Sequence, residues 1–146
     1  MPVPVPARPR ATCGALLAAY SLFIAAVLVA PVPTVASGVV GGAEGVLSAL
    51  GLPAALTEPG RVEFVLNAAM FAPVALLAAL TSPRHHWANW VVYGFAGSVA
   101  VEAVQALFLP ERSAQFVDVV ANTLGALAGA LVAVRVRDRV YAGTPE

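Results

Sequence analysis

The sequence predicts an all-α polytopic membrane protein, a bundle of four transmembrane helices with both termini in the cytoplasm. Three observations predict it. Of the 146 residues, 60% are hydrophobic and 11% charged, with a mean hydropathy of +0.84; an average soluble domain is about half apolar and about a quarter charged. Four apolar runs, about 13–32, 61–80, 87–109 and 116–134, match the length of about 20 residues that a helix needs to cross hydrocarbon. Arginines gather in alternate flanks: Arg8, Arg10, Arg84, Arg135, Arg137 and Arg139 lie on one side, against Arg61 and Arg112 on the other. The positive-inside rule then puts both termini in the cytoplasm.

The elements follow in order. Residues 1–12 open with "MPVPVPARPR", whose alternating prolines favour an extended, unstructured cytoplasmic tail. The first run (13–32) reads either as a signal peptide, with "VAS" at 35–37 as a cleavage site, or as a retained helix. It exceeds the 7–15 residues usual for a signal core, which favours retention. Residues 33–60 form a connection weakened by Gly38, Gly41, Gly42 and Gly45, with room for a short interfacial helix over 43–50. The second run (61–80) contains Pro73, which removes a backbone donor and favours a kink. The third and fourth are separated only by "PERSAQ", short enough to force an antiparallel hairpin. Trp87, Trp90 and Tyr93 fall at the cytoplasmic interface as an aromatic belt, and residues 135–146 form a cytoplasmic tail.

Several chemistries are excluded. Eight arginines, no lysine and eight acids give a formal net charge of zero, so no basic surface exists for nucleic acid. Cys13 is the single cysteine; it forms no internal disulfide and offers no metal-ligand spacing. His85 and His86 are adjacent and do not share a helical face. Nucleophile-elbow, phosphate-loop and zinc-protease spacings are missing. No cofactor, no metal and no catalytic residue is assigned.

What stands out is polarity inside the apolar runs. Counting about 1.5 Å of rise per residue from each helix's outer end places Asn67, Glu102 and Asn122 roughly 9–11 Å deep, and Glu63, Gln105 and Asp118 roughly 3–6 Å deep. Helical spacing gathers them into stripes: Glu63, Asn67 and Phe71; Ser98, Glu102 and Gln105; Asp118, Asn122, Gly125 and Gly129. A charge at mid-bilayer costs about 2.5–3.5 kcal/mol on insertion scales, so such stripes turn toward the bundle interior or a wet cavity. The expected product is a polar pocket open to the outer leaflet and rimmed by Arg61 and Arg112.

Each residue also has a plainer reading. Asn67, Gln105 and Asn122 can serve as interhelical glue, while Pro73, Ser98, Gly125 and Gly129 read as helix-packing positions. An acid as deep as Glu102 must be neutral, hydrated or paired, and Arg112 and Arg61 are the available partners. Asp118 and Glu63, each in the first turn of its helix, are placed to favour a helix N-terminus. Glu63, Glu102 and Asp118 could form an oxygen site for a divalent cation, but their spacing does not require one.

"VEFVLNAAMFAPVALL" (62–77) followed by "SVAVEAVQALFLPERSAQFVDVVANTLGALAG" (98–129) resembles the VanZ-like family of small bacterial integral membrane proteins. The matching positions are Asn67, Phe71, Pro73, Glu102, Gln105, Arg112, Asp118, Asn122, Gly125 and Gly129. The family takes its name from a protein associated with resistance to the glycopeptide teicoplanin, so the resemblance implies a role in the cell envelope. Three functions are open at this point. One is an outward pocket that binds a lipid head group, a lipid-linked wall precursor or a glycopeptide. Another is a membrane enzyme using Glu102 or Asp118 as general base, with Arg112 holding an anionic head group. The last is a small transporter, for which a homo-oligomer would supply the repeated halves such proteins use.

Overall fold

A computed structural model describes residues 7–28, 34–82, 84–109 and 115–141. Five helices follow one another: α1 Ala7–Leu28, α2 Thr34–Ala49, α3 Pro59–Thr81, α4 Trp87–Phe108 and α5 Phe116–Tyr141. All but α2 are long and apolar enough to cross a membrane; α2, at 16 residues, is shorter than the about 20 that a crossing takes.

The boundaries differ from the sequence expectation in three places. Helix α1 begins at Ala7 rather than residue 13. Ala and Arg are good helix formers, and Pro9 falls in the first turn, where its missing N–H has no carbonyl to serve. Helix α2 starts at Thr34, well ahead of the short segment expected over 43–50. An apolar segment beside a bilayer gains most by satisfying its backbone groups internally, which carries the helix through glycines that each cost about 1 kcal/mol in water. Helix α5 continues past residue 134 to Tyr141.

Helix α3 stays continuous through Pro73. That proline supplies no N–H to the Ala69 carbonyl, and next to it the Tyr20 hydroxyl donates to the Met70 carbonyl at 3.0 Å. A side chain from a neighbouring helix thus ties α1 to α3 beside the proline, one carbonyl along from the freed one.

The most extensive interface joins α3 to α5, followed by α4 with α5 and α1 with α3; α2 packs on α3. Two small-residue series make the central interface. On α5, Ala121, Gly125, Gly129 and Ala133 recur every fourth residue, and Ala121 and Ala133 are fully buried. On α3, a Cβ at Gly125 would meet the Ala68 carbonyl and one at Gly129 the Ala72 carbonyl. Backbone touches backbone there, which only glycine permits, and lipid-embedded helices associate through such close approach because apolar burial alone gives them no drive. Gly94 does the same for α4, meeting Ala126 of α5.

These contacts also fix direction. Ala68 and Ala72 meet Gly125 and Gly129 in the same order, so α3 and α5 run parallel. Ser98 bonds Asn122 while Gly94 faces Ala126, so α4 is antiparallel to α5. Tyr20 reaches Met70 while Gly14 lies beside Thr81, so α1 is antiparallel to α3. The start of α1 and the end of α5 therefore share one end of the molecule.

Candidate functional site: a polar seam at the start of α5

The seam is built where the first turns of α5 enter between α3 and α4. Asp118 lies in the first turn of α5, where a carboxylate is favoured by the unpaired N–H groups of the helix start. Its Oδ1 accepts from Asn67 Nδ2 of α3 at 2.8 Å. One turn further, Asn122 Nδ2 donates to Ser98 Oγ of α4 at 2.9 Å, with Ser98 0% and Asn122 4% exposed. One turn along α4 from Ser98, Glu102 Oε2 accepts the backbone N–H of Gln115 at 2.8 Å. A carboxylate from a neighbouring helix thereby caps a donor at the start of α5 that no intrahelical carbonyl can reach. Gln105, a further turn along the same face, is 5% exposed. Glu63 lies half-buried one turn before Asn67 on α3.

Three expectations require correction. Depth counted helix by helix put Asn67 in a deeper layer than Asp118, yet the two are bonded. The two side chains bridge that difference along the helices; between α4 and α5 there is in addition an axial offset, because Glu102, well before the last residue of α4, already reaches the amide that precedes α5. Helix α5 therefore starts below the level at which α4 ends. Glu63 is not in the first turn of its helix, since α3 begins at Pro59. Arg61 pairs with Glu58 at 3.4 Å rather than with Glu102. Arg112 lies outside the described residues.

The acids also do not pool. Asp118 faces α3 and Glu102 caps α5, and among the described residues no three of His, Cys, Asp and Glu come together in a group that could hold a metal ion. The seam is therefore a row of interhelical hydrogen bonds rather than a single carboxylate cluster. At the opposite end of α4, His86 Nδ1 accepts from Ala88 N at 3.3 Å and caps the helix. There His85, Trp90 and Tyr93 cluster in tilted and edge-to-face contact, with ring centroids 5.4 Å apart for His85 with Trp90 and 5.6 Å for Trp90 with Tyr93.

Sequence reasoning missed one feature altogether. Helix α2 leaves an open apolar groove of about 980 Å³ against the N-terminal third of α3, lined by Val39, Gly42 and Val46 of α2, by Arg61, Val65 and Leu66 of α3, and also by Val117 of α5. The signal was present in Val39, Ala43, Val46 and Leu47, apolar at helical spacing, but the intervening glycines concealed it.

Spanning helices, a small-residue core and polar groups paired across helices define a polytopic α-helical membrane protein. The chain belongs to the VanZ/LLP1 family, whose model matches residues 17–137. That match takes in α2 and most of α1, which the motif positions did not reach. Searches of curated proteins and of solved structures found no match.

Proposed function

We propose that the protein is a multi-pass component of the bacterial cell membrane whose polar seam, turned to the outer face, binds the polar part of an envelope amphiphile: a lipid head group, a lipid-linked wall precursor or a glycopeptide. The observation that carries this reading is the convergence of Asn67, Glu102 and Asp118, from three helices, on the start of α5. Carboxylates and amides in a spanning region are costly and are kept where they line a ligand path or a wet cavity. Glu63, Gln105, Asn122 and Arg112 complete the set, with Arg112 meeting an anionic group of the ligand. The arginine distribution supports cytoplasmic termini and an outward seam, and membership of the VanZ/LLP1 family supports an envelope role that includes tolerance of teicoplanin.

The test replaces Glu102 and Asp118 by Asn in a host whose teicoplanin tolerance depends on this protein. The expected outcome is increased susceptibility at unchanged expression; equal susceptibility overturns the reading. Lipids that co-purify in mild detergent should be enriched in one head-group class, and that class should decline in the double variant. Incubation with a labelled sample of that lipid separates binding from catalysis, because a binder returns it chemically unchanged.

A further inference from the structure

The groove between α2 and α3 is apolar with a cation at its edge. Among the described residues that line it, the one with a charge is Arg61, near the start of the span Pro59–Thr81, at the level where arginine side chains reach lipid head groups. Around it, Leu56 before α3, Val62, Val65 and Leu66 of α3 and Val39, Val46 and Leu47 of α2 give an apolar wall. Among the described residues, Arg61 has one acidic partner, Glu58, met through Nε alone at 3.4 Å with the two side chains 59% and 64% exposed. A pair so open to solvent is weak, and it leaves the guanidinium accessible to a second acceptor. We propose that this groove is a binding site for an anionic phospholipid, with one acyl chain along α2 and α3 and the phosphate on Arg61. Guanidinium and phosphate match in charge and in bidentate geometry. Gly42 keeps the groove open: a Cβ there would meet nothing within 4 Å, so the missing side chain serves no protein contact and leaves room for the chain. The site adjoins the seam through Phe64 and Val117, but its argument stands on Arg61 and the apolar lining and does not rest on the reading given for the seam.

The experiment uses the full-length protein in detergent, offered equal amounts of phosphatidylglycerol and phosphatidylcholine with identical chains, and counts retained lipids by native mass spectrometry. Phosphatidylglycerol should be retained about fivefold over phosphatidylcholine, the weight of one arginine at an anionic surface. Arg61→Gln should remove that preference and Arg61→Lys should keep it. Gly42→Leu, which fills the groove with a better helix former and so leaves folding intact, should lower retention of both lipids. Equal retention by the unaltered protein, an unchanged preference in Arg61→Gln, or undiminished binding in Gly42→Leu would each overturn the proposal. So would a lipid-free dimer joined through α2.

Discussion

Asn122 and Ser98 are buried together and bonded to each other, so their value lies in the pair. Replacing Asn122 by Leu strands the Ser98 hydroxyl, and the loss should be about 0.6–2 kcal/mol in a detergent or bicelle unfolding assay. Adding Ser98→Ala should recover part of it, because two apolar groups leave no donor or acceptor unmet. A double variant that loses the sum of the single effects would show that the bond is not the source of the stability. Glu102 invites a finer distinction: Glu102→Gln keeps an acceptor for the Gln115 amide and should leave stability near that of the unaltered protein, whereas Glu102→Leu removes it and should destabilise. Which residues are polar and which helix face they share was legible from spacing alone. Their partners were not, because pairing depends on the axial offset between α4 and α5, and a sequence carries no record of how far one helix slides along another.

Among the elements, α5 is the spine. Its glycines at 125 and 129 touch α3 backbone, so Gly125→Leu should separate the two helices, with a loss of about 1–3 kcal/mol or more from overpacking and a fall in the yield of folded protein. Gly97 of α4 is the internal control, since a Cβ there meets nothing within 4 Å; Gly97→Ala should be neutral or stabilising by less than the about 1 kcal/mol that the exchange gives in water. Size-exclusion profiles and thermal stability in detergent read both variants. The four long helices could be read from hydropathy because about 20 apolar residues have few alternatives in a bilayer. The full extent of helix α2 escaped because propensity scales measured in water penalise Gly38, Gly41, Gly42 and Gly45, and those penalties weigh less where the backbone has no water to turn to.

At the scale of the molecule, the contacts place the start of α1 and the end of α5 at one end, and the arginines of both flanks support our proposal that this end is the cytoplasmic one. With Cys13 replaced by Ser, a cysteine introduced within residues 135–146 should react with an impermeant maleimide only after the cells are opened. One introduced at Thr57, in the connection between α2 and α3, should react in intact cells. The reverse labelling pattern would invert the molecule and carry the seam to the cytoplasmic face.

The parallel pairing of α3 with α5 has a consequence for how the protein is made. The ribosome delivers α3 first, then α4, and only afterwards the partner that covers α3 most extensively. Until α5 arrives, Asn67 has no Asp118 and the carbonyls of Ala68 and Ala72 have no glycine against them. We expect the half-built intermediate to be sheltered, at the insertion channel or by an insertase, for the time it takes to translate the α4–α5 hairpin. A chain that stalls after residue 109 should be held there and cleared by membrane proteases rather than accumulate in the bilayer.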